Sequence, residues 1–101
     1  MARERGRLRV VVKVGTSTLT HDTGRLNLHN MERLSRTLSD LEGKGHEVVL
    51  VSSGAIGIGT AKMNLPERPT QLRMKQAVAA VGQCMMMHLY DKFFGEYNRV
   101  V

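Results

Sequence analysis

The sequence predicts an α/β fold, a βαβ unit whose parallel strands lie under covering helices. Three observations carry that expectation: two short runs rich in β-branched residues, a helix-spaced apolar stripe between them, and a longer helical stripe after the second run. The chain has 101 residues, 42% of them hydrophobic, which suits one globular domain rather than a disordered segment.

The first run, LRVVVKV at residues 8–14, alternates little, as expected of a strand buried on both faces in a parallel sheet. Gly15, Thr16, Ser17 and Thr18 follow it, and the polar stretch 20–27 with Gly24 reads as a loop. Asn27 stands where a helix N-cap is needed. Met31, Leu34, Leu38 and Leu41 then recur at intervals of three and four, which predicts a helix over residues 28–42, ended by Gly43 and Gly45. Residues 48–51 form the second strand run. Gly54, Gly57 and Gly59 in its exit suggest a loop that becomes helical only near Thr60. Pro66 and Pro69 mark a turn.

The last helix is expected over residues 71–94, with Met74, Val78, Val81, Met85 and Leu89 on one face and Ala77, Ala80 and Cys84 widening it. So broad a stripe implies burial on more than one side, with Cys84 as a small buried hydrophobe. Arg99, Val100 and Val101 look like the entry to a third strand. No internal repeat is visible.

Charge and composition exclude several classes. Arg3, Arg5, Arg7 and Arg9 contribute to the net charge of +6, and residues 1–7 are expected to be a basic disordered terminus ahead of a domain over residues 8–101. With two tyrosines, two phenylalanines and no tryptophan there are few stacking groups, so nucleic acid is not an expected partner. No apolar run approaches the ~18 residues a membrane span needs. Lys13 also breaks the first run, as a secretory leader would not allow, so a soluble, cytoplasmic chain is expected. A single cysteine cannot build a disulfide framework, and His21, His29, His46 and His88 lack the paired spacing of a zinc site, so no protein metal site is expected.

A right-handed crossover makes the two strands parallel, so their exits at Gly15 and Ser52 emerge on one sheet edge and face one crevice. Lys13 lies at the end of an apolar strand, where an ammonium is costly unless it pairs with an anion or reaches solvent along its stem. Gly15, Thr16 and Ser17 beside it supply backbone access, hydroxyls and N–H donors suited to phosphate. Ser53, Gly54 and Ala55 lead into a helix and aim further N–H groups at the same crevice. No lysine follows these glycines at P-loop spacing, and Lys62 stands where a dinucleotide fingerprint needs its third glycine.

VVKVGTSTLT at residues 11–20, VSSGAIGIG at 51–59 and KQAVAAVGQ at 75–83 resemble, in order and spacing, segments of the amino acid kinase family, and within it the glutamate-phosphorylating branch. Bifunctional pyrroline-carboxylate synthases carry a similar part and remain an alternative parent. The resemblance covers residues 8–101 and implies the N-terminal part of a three-layer αβα sandwich. It implies that Lys13 is catalytic and contacts ATP phosphates together with Gly15, Thr16 and Ser17, while Ser53, Gly54 and Ala55 bind glutamate. It further implies ATP and Mg²⁺ as cofactors, L-glutamate as acceptor in proline biosynthesis and inhibition by proline, while the broad apolar stripe of the last helix makes homo-oligomers the expectation. In such kinases a second catalytic lysine, its organising aspartate and most of the nucleotide pocket lie further along the chain, so this chain alone is expected to be inactive. The alternative is a non-catalytic module self-associating through residues 71–94.

Overall fold

The computed structural model describes residues 6–101, so the expected disorder of the terminus falls outside the described residues except at Gly6 and Arg7. β1 (Arg9–Val14) pairs in parallel with β2 (Glu47–Ser52), with Val10 beside Val48, Val12 beside Leu50 and Val14 beside Ser52. Between them come α1 (Thr16–Leu19) and α2 (Leu28–Gly43), and after them α3 (Ala55–Lys62) and α4 (Leu72–Gly95). Arg9 Nε donates to Glu47 Oε2 at 2.7 Å, fixing the register where the strands begin.

Period-two alternation assigns the strand faces. Val12, Val14, Val48 and Leu50 join a core built from Leu19, Met31, Leu38, Ile58, Met86, Tyr90, Phe93 and Phe94. Val11, Val49 and Val51 point to the other face and are 58%, 45% and 45% exposed. The expectation that the first strand is buried on both faces therefore fails: among the described residues, helices cover one side only. The molecule measures 50 × 25 × 20 Å, with a radius of gyration of 15.6 Å. A compact chain of this length would have about 13 Å, so the core is a thin layer along α4.

α2 starts as its sequence requires. The Asn27 side chain accepts a hydrogen bond from the Asn30 N–H at 3.1 Å, and Met31 and Leu38 are buried one and three turns in. Ser35, also fully buried, donates to the Met31 carbonyl at 2.8 Å and so carries no unpaired polar group into the core.

Two loops turn out to be helical. Residues 16–19 form the short α1 with Gly15 as its N-cap, held down by Leu19, which is completely buried. α3 begins at Ala55 rather than near Thr60. The reason is Gly54, which takes φ of +99° and turns the chain directly from β2 into the helix. Gly57 and Gly59 then lie inside α3. A helical glycine costs about 1 kcal/mol, and here close helix contact offsets it. A Cβ on Gly59 would stand 2.0 Å from the Val78 carbonyl oxygen, and one on Gly82 would stand 1.8 Å from that of Ala55. α3 and α4 therefore touch backbone to backbone.

That contact also sets the inner face of α4. Val78, Gly82, Met86, Tyr90, Phe93 and Phe94 are buried, at intervals of mostly four residues. Met74 is exposed, and Val81, Met85 and Leu89 are only half-buried, so the true stripe is rotated from the expected one. Cys84 falls midway between Gly82 and Met86 and is exposed, which corrects its expected burial, as do the exposed Ala77 and Ala80. Residues 99–101 form no strand. Arg99 instead holds them beside α2, with Nε paired to Glu42 and Nη2 donating to the Ser39 carbonyl at 3.3 Å.

Two measurements check this packing. Gly82→Ala should lower the urea midpoint by the equivalent of about 1–3 kcal/mol, because backbone must move. Gly95→Ala, with nothing within 4 Å of the new Cβ, should be neutral or slightly stabilising. Tyr90, pushed above its ordinary pKa by burial and lowered in part by its hydrogen bond to Ser52, ionises later folded than unfolded. Its contribution is complete below about pH 10 and is lost as pH rises through the folded value. Tyr97, raised chiefly by its hydrogen bond to Glu32, adds to the same alkaline loss. Urea midpoints from pH 8 to 11 should therefore fall less steeply for Tyr90→Phe than for the parent chain.

Candidate active site

The parallel pairing ends with Val14 beside Ser52, and the two exits are tied together there. The Ser53 N–H donates to the Val14 carbonyl at 3.1 Å, and the Ser53 hydroxyl reaches the same oxygen at 3.3 Å. One step further, a Cβ on Gly54 would stand 2.9 Å from Thr16 Oγ1 and 3.2 Å from its Cα. Gly54 is thus required twice, by its positive φ and by the Thr16 backbone beneath it. The first turn of α1 and the start of α3 meet at this point as one crevice wall.

Of the residues singled out in the sequence, Thr16 and Gly54 pack together here and Ser53 is bonded to Val14, while Gly15, Ser17 and Ala55 adjoin them in the chain. Lys13 stands on the open face of the sheet beside Val51 and is exposed. Gly15 adopts ordinary extended backbone, with open space where a Cβ would project. Thr16 is half-buried, with its carbonyl accepting from the Thr20 N–H and hydroxyl, each at 2.9 Å. Ser17 and Ser53 are exposed, and Gly54 and Ala55 are partly accessible. Neither α1 nor α3 has a side-chain cap at its start, so leading backbone N–H groups of both helices remain free of such partners.

The wall is braced from behind. Ser52 shares a hydrogen bond of 3.0 Å with Tyr90 Oη and donates to Met86 Sδ at 3.3 Å, which locks the end of β2 onto α4. Ser52 stood out in the sequence only as a strand exit and Tyr90 not at all, because their pairing spans 38 residues and has no local signature.

Arg68 was also unremarkable in sequence, yet it belongs beside this wall. Its Nη2 lies 2.9 Å and its Cζ 3.6 Å from where a Cβ on Gly57 would be, with Thr16 Cγ2 3.3 Å from the same point. The only signal was its position between Pro66 and Pro69, which fold the chain back from α3. A cavity of about 340 Å³ opens there, lined by Thr16, Asp22, Gly57, Thr60, Glu67 and Arg68 among others. A larger cavity of about 830 Å³ runs along the free edge of β2, between α2, α4 and the chain end; Ser52 lines it, but none of Lys13, Gly15, Thr16, Ser17, Ser53, Gly54 and Ala55 does. The strand-exit crevice is the better candidate, because α/β sheets bind ligands beyond the carboxyl ends of their strands.

Among the described residues no group of three His, Cys, Asp or Glu side chains is arranged to hold a metal ion, and no helix is long and apolar enough to cross a membrane. The crevice wall offers hydroxyls, amides and one ammonium, a donor set suited to anions.

Comparison with known proteins agrees with that chemistry. Residues 8–98 match the model of the amino acid kinase family. Three similar relatives are each named glutamate 5-kinase. The protein from Clostridium perfringens is 62% identical over 93 residues, covering 92% of this chain and 35% of the relative. Those from Listeria innocua and Caldanaerobacter subterraneus are 58% and 56% identical over the same share of this chain, which covers 34% and 25% of their lengths. The chain thus spans about a third or less of the curated relatives it matches. With the family match running through both strands and the whole crevice wall, the chain belongs to the amino acid kinase family.

Proposed function

We propose that this chain forms the phosphate-facing and acceptor-facing wall of a kinase that moves the γ-phosphoryl group of ATP to the γ-carboxylate of L-glutamate. The observation that supports it most is the junction of the two strand exits. Thr16 packs under Gly54, and Ser53 is bonded to the Val14 carbonyl, so Lys13 and the Ser53 loop share one edge.

The acceptor carboxylate has an ordinary pKa near 4.3 and is ionised at neutral pH, so it needs no general base. One of its oxygens attacks the γ-phosphorus in line. An oxygen–phosphorus bond forms as the bond to the β,γ-bridging oxygen breaks, ADP leaves with that electron pair, and γ-glutamyl phosphate remains. The obstacle is repulsion between two anions. Lys13 meets it with a positive charge on the phosphoryl side, and the hydroxyls and N–H groups of Gly15, Thr16 and Ser17 supply fixed donors. Ser53, Gly54 and Ala55 hold the acceptor, the Ser53 hydroxyl exchanging its long bond to Val14 for one to the substrate. None of Lys13, Gly15, Thr16, Ser17, Ser53, Gly54 and Ala55 carries a carboxylate, so these residues do not by themselves make a Mg²⁺ site. The same reading makes the product a proline precursor and includes a cytoplasmic setting, self-assembly and proline as an inhibitor.

A chimera tests the proposal. With this chain in place of the matching third of the Clostridium perfringens relative, ADP release should depend on both ATP and L-glutamate, whereas the chain alone should release none. In the chimera, Lys13→Met should lower kcat about 10²–10³-fold, the scale of losing one transition-state donor. Ser53→Ala should chiefly raise the KM for glutamate. Turnover by the isolated chain, or a chimera indifferent to Lys13→Met, would overturn the assignment.

A further inference from the structure

We infer that Arg68 binds the α-carboxylate of the amino-acid acceptor and so selects an unmodified α-amino acid head group. The inference rests on the acceptor assignment above and extends it to a residue outside the strand exits.

The geometry supplies the first reason. Arg68 lies in the link between α3 and α4, and its guanidinium rests against Gly57 in the second half-turn of α3 beside the Thr16 methyl. Glycine is what allows this approach, since a Cβ there would stand 2.9 Å from Nη2. Arg68 has no ion-pair or hydrogen-bond partner among the described residues, so its planar fork of donors is available for a carboxylate.

Charge supplies the second reason and chooses the ligand. The 340 Å³ cavity lined by Arg68 is also lined by Asp22 and Glu67. A phosphate entering there would meet two carboxylates. The head of an α-amino acid brings a carboxylate for Arg68 and an ammonium for Asp22 or Glu67, so the zwitterion matches a cavity of mixed sign. Thr16 lines this cavity and also packs under Gly54, which joins the head-group cavity to the Ser53 loop. Lys13 stands on the open face of the sheet, so the two cations serve opposite ends of the reaction: Lys13 the phosphates, Arg68 the far end of the acceptor.

The test is an NMR titration of the whole chain with L-glutamate and with L-isoglutamine, which replaces only the α-carboxylate by an amide. The parent should bind glutamate roughly ten- to hundredfold more tightly, the range of a hydrogen-bonded charge. Arg68→Gln should erase that preference by weakening glutamate alone. Gly57→Ala, which keeps the charge and displaces the guanidinium, should lose most of it. Ser53→Ala should weaken both ligands and so reports the acceptor assignment separately. Glutamate affinity unchanged in Arg68→Gln while Ser53→Ala lowers it would overturn the role of Arg68 alone. A parent chain that binds neither ligand would overturn both.

Discussion

The position of the candidate site depends on two glycines that let α3 and α4 touch without side chains between them. Gly82 faces the carbonyl of Ala55, the first residue of α3. Gly59 faces the carbonyl of Val78 one turn on. These contacts fix where α3 starts, and with it the direction in which Ser53 and Gly54 leave the sheet. They also bring Tyr90 and Met86 of α4 under Ser52, so the end of β2 is held from below while its continuation is held from the side. A mutation at Gly82, far from the crevice in sequence, therefore acts on the crevice through backbone position.

The elements with a local signal were legible in the sequence. β-Branched runs marked both strands, Asn27 marked the start of α2, and the crossover rule placed Gly15 and Ser52 on one edge before any coordinates. What misled the reading was glycine. Gly57 and Gly59 look like loop residues, because glycine is a poor helix former, and nothing local shows that α4 would press against them. The same hidden contact rotated the buried stripe of α4 from Met74 and Val81 toward Gly82 and Met86, leaving Cys84 exposed. Tertiary contact overrode propensity in both cases, and a single sequence carries no record of the partner helix.

The candidate site residues stood out in the sequence for a related reason. Lys13 is conspicuous because it interrupts an apolar run, and Gly54 because it opens a glycine-rich strand exit. Arg68 and Ser52 are ordinary in their own neighbourhoods and acquire meaning only from Gly57 and Tyr90, which the fold brings to them.

For the proposed carboxylate phosphorylation, perturbed titration is a poor pointer to the candidate site. A reaction that needs a general base recruits a group whose pKa is pulled toward neutrality. In the proposed reaction the nucleophile arrives ionised, and the demand is for fixed positive charge and donors where repulsion is greatest. Lysine, arginine, hydroxyls and main-chain N–H groups are the donors that suit that demand. The tyrosines that do shift, Tyr90 by burial and Tyr97 by its bond to Glu32, belong to the frame that holds the wall. A crevice of this kind is found from strand ends, from glycines that a side chain would block, and from cations without partners. By those marks Gly54, Gly57 and Arg68 gather around Thr16, although they come from different segments of the chain.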